Sequence, residues 1–119
     1  MQRGAANEQI AGVEFRDRIE RVDDGIGEGA DEFLDLAGLI MNMDLVISCS
    51  TTRAHLTGAL GCPLFLALPF NTSAEWRWLL EREDSPWYPT ARLFRQNRVG
   101  DWHGVFERIA AAVRERASR

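Results

Sequence analysis

Apolar positions recur at two spacings along this chain, and the switching between helical and strand-like periods predicts its elements. Residues 5–12 read as a short helix, and "RIERV" (18–22) as a modest strand carrying Ile19 and Val22. The acidic, glycine-rich "DDGIGEGADE" reads as a loop ending at Asp31, a candidate N-cap. Phe33, Leu36, Ala37, Ile40 and Met43 then recur at helical spacing, so one face of residues 32–43 is expected to lie on a sheet. "DLVISC" (44–49) is a continuous apolar run, the pattern of a strand buried on both faces.

The second half repeats this alternation. "TTRAHLTGALG" (51–61) predicts a helix stopped by Gly61 with Pro63 beyond, and "PLFLALP" (63–69) a second buried strand. "SAEWRWLLERE" (73–83) predicts a short helix with Ser73 as cap. Trp76 and Trp78, two apart, cannot share a helical face, so at least one is expected to pack inward. "ARLFRQ" (91–96) alternates like a strand near a sheet edge. Gly100 and Asp101 introduce a terminal helix with Trp102, Phe106, Ile109 and Val113 on one face. The order is β-α-β-α-β-α-β-α. Strands joined by single helices run parallel with right-handed crossovers, which predicts an open parallel sheet of about four strands with helices on both faces.

Composition narrows what such a fold can do. With 119 residues, 45% of them hydrophobic, the chain is long enough for one packed core. The net charge of −4 is divided unevenly: residues 1–50 hold four Arg and eleven acids, and residues 51–119 hold ten Arg and seven acids. All the basic residues are arginine, which fits a GC-rich genome and also suits bidentate contacts to phosphate or carboxylate. No basic run marks a nucleic-acid surface. Cys49 and Cys62 form neither a disulfide framework nor a paired zinc motif, so reduced, buried thiols are expected. There is no leader-like start and no run long enough to span a bilayer, which points to the cytoplasm.

In an open parallel sheet, ligands collect beyond the carboxyl ends of the strands. "SCSTTRAH" (48–55), "PFNTSAEWRW" (69–78) and the stretch around "SPWYP" (85–89) converge there. Ser50 and Thr51 are placed to cap a helix whose first N–H groups suit a phosphate, although hydroxyls before a helix also serve as caps and nothing more. His55 has the plain alternative of a buried histidine satisfied by a carbonyl, and Arg77, Arg82, Arg92 and Arg95 that of surface pairing with Glu75, Glu81, Glu83 and Asp84. Neither a dinucleotide or Walker glycine loop nor a zincin or nucleophile-elbow motif is present.

Some of these strings carry a resemblance. "DLVIS" followed by "T" and "AHLTGALGCP", then "WRWLLEREDSPWYPTARLFRQ" and "GDW", resemble the carboxyl-terminal, glycosyltransferase-like domain of bacterial tetratricopeptide-repeat proteins, a distant relative of the heptosyltransferases. The likeness runs from about residue 36 to the end. It implies a GT-B architecture of two lobes, of which residues 1–119 are the Rossmann-like donor-binding lobe without its N-terminal lobe. Thr51, His55, Leu56 and Gly58 match the family's donor-phosphate motif. Ser50 stands where the family usually has aspartate, and Thr52 and Arg53 replace small apolar residues.

The resemblance implies donor-binding residues Ser50, Thr51, Thr52, His55, Gly58, Arg77, Trp87 and Tyr88, a nucleotide sugar as substrate, and no metal or other cofactor. Transfer in this architecture takes place between two lobes, so this chain alone is not expected to turn over, and no catalytic residue is assigned. The alternative is a non-catalytic remnant that docks or dimerises through the surface left by the missing lobe.

Overall fold

The computed structural model describes residues 5–22, 26–27, 29–70 and 76–119. The chain divides into two compact units, Met1–Leu36 and Ala37–Arg119, and the division falls within the first helix. In the first unit, 3₁₀ turns occupy Ala5–Gly12 and Arg16–Arg18. The strand expected at 18–22 is not formed. Ile19 and Val22 are three apart rather than alternating, and the Ile19 N–H closes the preceding turn on the Arg16 carbonyl at 3.0 Å.

Helix α1 spans Ala30–Met41, so Asp31 lies in its first turn and not at the cap. There its carboxylate favours the positive end of the helix dipole. Asp35 accepts from the Gly27 N–H at 2.7 Å. Of the expected stripe, Leu36 and Ile40 are buried one turn apart, while Phe33 and Met43 remain about half exposed.

The second unit is an open α/β fold. Strands β1 (Val46–Cys49), β2 (Leu64–Leu68) and β3 (Ala91–Arg95) form a parallel sheet in the order β1-β2-β3, with helix α2 (Thr52–Ala59) between the first two and α3 (Trp102–Ala117) after the last. Neighbouring strands in chain order, joined right-handed, place both crossovers on the same face. On that face Ala54 of α2 and Trp78 of the second crossover join Leu64, Leu66, Leu68, Ala91 and Leu93. Phe65, Ala67 and Phe94 point to the opposite face and meet Val105, Ile109 and Ala112 of α3. Helices therefore cover both faces, as the apolar pattern requires.

Position in the sheet explains the strand patterns. Central β2 is buried at every residue, as its unbroken apolar run predicts. The similar run in β1 is overridden because β1 is an edge strand. Its burial alternates, leaving Ile47 48% exposed and Cys49 exposed rather than buried. The outer edge of β3 is closed by its own chain: the Leu93 N–H reaches the Glu83 carbonyl at 2.7 Å, and Asp84 bridges antiparallel to Arg92.

The helix expected over 73–83 is also corrected. Residues 73–75, with the proposed Ser73 cap, lie outside the described residues. Trp76–Trp78 makes one 3₁₀ turn, after which Leu79 (φ 52°) and Glu81 (φ 60°) turn left-handed. Each such non-glycine residue costs roughly 1–2 kcal/mol, so the segment needs holding. The holding comes from side chains that take its carbonyls: Ser85 Oγ donates to Arg77 at 3.1 Å, and Arg95 Nη2 donates to Trp78 and Leu79 at 3.0 and 2.8 Å. With those acceptors occupied, an α-helix gains little by continuing.

Two helix ends show how local chemistry sets the boundaries. Gly61, at φ 69°, closes α2: its N–H reaches the Gly58 carbonyl and the Cys62 N–H reaches that of Thr57, both at 3.1 Å. Asp101 opens α3 by accepting from the Gly104 N–H at 3.1 Å. The buried stripe of α3 is Val105, Ile109 and Ala112, aliphatic residues that pack against the sheet. The expected Trp102 and Phe106 lie off that stripe, in contact with each other at 6.4 Å and 39% and 52% exposed.

Two substitutions test this packing. Asp101→Ala removes the α3 cap and is expected to lower stability by about 1 kcal/mol in urea unfolding. Gly58 lies against the Tyr88 ring, and a Cβ added there would come within 2.7 Å of Cδ1 and 2.9 Å of Cβ as well as meeting Cγ. Gly58→Ala is therefore expected to destabilise by about 1–3 kcal/mol through overpacking, and an unchanged melting temperature would contradict the contact.

Candidate functional site

Because the sheet is parallel, the carboxyl ends of β1, β2 and β3 open on one edge, and α2 begins there directly after β1. Thr51 takes the N-cap position with extended backbone (φ −137°, ψ 169°), and its side chain makes no capping bond. Its Oγ1 lies 3.2 Å from Ser48 Oγ. Ser50 is also not a cap, since its Oγ accepts from the Trp78 indole Nε1 at 2.9 Å. Thr51 and Thr52 are exposed, and among the described residues no hydroxyl caps the first turn of α2.

One turn further on, His55 is drawn into an aromatic clasp. Its Nδ1 lies 3.0 Å from the Tyr88 hydroxyl, and its ring stacks on Trp78 with centroids 5.0 Å apart and 18° between planes. Tyr88 leans on Trp78 at 5.7 Å and rests on Gly58. Thus His55, Gly58 and Tyr88, from two separate motifs, meet around the fully buried Trp78, which also reaches Ser50. His55 is half-buried, and the partner of its Nδ1 is a hydroxyl. A neutral hydrogen bond of this kind contributes about 0.5–1.5 kcal/mol, so the clasp can be understood as architecture alone.

Arg77 and Trp87 belong to a second cluster. The Arg77 guanidinium sits 4.7 Å over Trp76, and Trp76 meets Trp87 edge-on at 5.2 Å and 84°. Buried Ser85 fixes the corner, because its Oγ donates to the Arg77 carbonyl and lies 3.3 Å from the Trp87 N–H that donates to it. Trp76 and Trp87 are 56% and 54% exposed while Trp78 is 0% exposed, so one tryptophan of the pair packs inward as expected.

Sequence reasoning missed Trp78 as the hub, although the spacing of the two tryptophans showed that one had to be buried. It also missed Ser85 and Arg95. Arg82 does pair with Asp84, through two 2.8 Å bonds that lower the Asp84 carboxyl from its ordinary value, and Arg92 lies 4.0 Å from Glu83. Arg95 instead serves backbone carbonyls, and burial lowers its guanidinium from the usual value. Among the described residues no group of three or more His, Cys, Asp or Glu could hold a metal ion, and no helix is long and apolar enough to cross a membrane.

No family model and no solved structure matches the chain. A curated protein does: over 84 residues, 71% of this chain, the sequence is 36% identical to Protein FlbA of Caulobacter vibrioides. The chain spans 13% of the length of that relative.

Proposed function

We propose that the chain is the donor-binding lobe of a GT-B glycosyltransferase of the kind fused to tetratricopeptide repeats, acting in the cytoplasm on a nucleotide sugar. The observation that carries this reading is the start of α2: at the carboxyl edge of a parallel sheet, a helix with exposed Thr51 and Thr52 and no side-chain cap among the described residues. Partial positive charge and free N–H directions at such a point suit a diphosphate without calling on a metal. Thr51 and Thr52 line it, and Trp87 and Arg77 stand on the neighbouring crossover. His55, Gly58, Ser50 and Tyr88 support it from behind through Trp78. The similarity to a small part of a much longer protein fits a lobe that works joined to others.

A second reading has the Trp76–Trp87 corner in its favour: an interaction or dimerisation module needs an exposed, rigid aromatic patch of that kind. Sedimentation separates the two, since the module is expected to self-associate with loss of Trp87 exposure, and the donor lobe to keep Trp87 exposed.

Titration calorimetry with ADP-, GDP- and UDP-sugars at millimolar concentration is expected to show binding of at least one, without turnover. Absence of heat with all of them overturns the donor reading. Thr52→Pro sharpens the test: proline is tolerated at the first helical position and Thr51 is already extended, so the fold survives while one N–H disappears. Its affinity for the donor is expected to fall roughly tenfold, as a hydrogen bond to a charged group is worth about 1.5–3 kcal/mol.

A further inference from the structure

Helix α3 carries a wider apolar arc than the sheet covers. Successive residues of an α-helix are turned by about 100°, so while Val105, Ile109 and Ala112 point inward, Trp102, Phe106, Ala110, Val113 and Ala117 form a second stripe along one flank. That flank is on the β1 side: Val113 and Ala117 line a hollow with Leu45, just before β1, whereas Arg108, Ala111 and Glu115 on the other flank line one with Arg92 of β3. Trp102 and Phe106 are 39% and 52% exposed. Ile47, which pairs with Phe65 and so shares the α3 face, is 48% exposed beside them.

The stripe repeats at intervals of four, four, three and four residues, the spacing of a seam between two helices. Size changes along it. The bulky Trp102 and Phe106, in contact with each other, stand at the start of α3, and at its end Val113 and Ala117 border a hollow of about 540 Å³. A knob and a hole at opposite ends of one stripe fit a second copy turned end over end. Two α3 helices laid antiparallel about a two-fold axis at Ala110 put Trp102 against Ala117, Phe106 against Val113 and Ala110 against its own mate, large against small at each level. Charge agrees with this. Exposed Glu107 and Arg114 lie on the same rim of the stripe, and the antiparallel arrangement sets each Glu107 beside an Arg114 of the other copy.

We infer that a second copy of this chain covers the α3 flank, giving a two-fold dimer through antiparallel α3 helices. The contact goes beyond both readings above, since α3 lies on the opposite face of the sheet from α2 and Trp78. Its strip is about 24 Å by 10 Å, well short of the roughly 800 Å² per partner of a standard interface even with Ile47 added. The dimer therefore belongs to the weak, concentration-dependent class.

Sedimentation over a range reaching high micromolar concentration is expected to show reversible exchange between monomer and dimer. Phe106→Asp places a charge in the seam at an exposed position, and is expected to weaken the dimer about tenfold or more with unchanged circular dichroism. Glu107→Arg or Arg114→Glu alone brings like charges together and is expected to weaken it about twofold to fivefold, and both reversals in one chain to restore it. The rescue reports a contact between copies, because residues seven apart on one helix are separated by about 10 Å. A monomer at every concentration overturns the inference, as does a dimer that Phe106→Asp leaves intact. If Trp87→Ala dissociates such a dimer, association belongs to the Trp76–Trp87 corner and the module reading stands without the α3 contact. Reversals that weaken the dimer as much together as singly also overturn the inference.

Discussion

The burial of Trp78 is the contact on which the rest of the second unit depends. A fully enclosed indole contributes more apolar area than any other side chain on that face, and its N–H finds the partner it needs in Ser50. The ring thereby pulls the β1–α2 junction and the crossover from β2 to β3 together. His55 stacks on it, Tyr88 leans on it, and Gly58 makes room for Tyr88. The indole thus backs the direct contacts that His55 and Gly58 of α2 make with Tyr88.

Topology then decides what each face of the sheet receives. Right-handed crossovers send α2 and Trp78 to one side, so α3 has to cover the other. Aliphatic residues on α3 pack against Phe65, Ala67 and Phe94, while the larger Trp102 and Phe106 are turned away. The second crossover contains little regular structure because its carbonyls are taken by Ser85 and Arg95. Side-chain hydrogen bonds here substitute for helical ones, and the left-handed Leu79 and Glu81 follow from that substitution.

Much of this was legible in the sequence, for identifiable reasons. The α/β class, the parallel sheet, β2, α2 with its Gly61 stop and the start of α3 after Gly100 and Asp101 all follow from local patterns that tertiary contacts reinforce. Errors fell where tertiary context overrides a local pattern. The apolar run in β1 looked doubly buried, yet an edge position leaves Ile47 and Cys49 open. In α3, Ile109 and Val113 of the expected face do pack on the sheet, but Trp102 and Phe106 lie off it and Val105 and Ala112 complete the stripe. "AEWRWLL" has helical composition, but a distant arginine and a buried serine redirect its backbone. Ser50 and Thr51 read naturally as caps because nothing local shows that an indole 28 residues away will claim one hydroxyl.

The roles of the candidate donor residues therefore divide along a physical line. His55 and Gly58 match a phosphate motif when taken alone, and in the fold both touch Tyr88, His55 also stacks on Trp78, and Gly58 is needed for the close approach of a ring. What remains exposed at that edge among the described residues is the first turn of α2, with Thr51 and Thr52. The clasp holds α2 in place from one side. A capping hydroxyl would stabilise the helix and compete with an anion for the same donors. Here Thr51 holds the N-cap position with its hydroxyl against Ser48, while Ser50 next to it accepts from the Trp78 indole and so ties the start of the helix to the core.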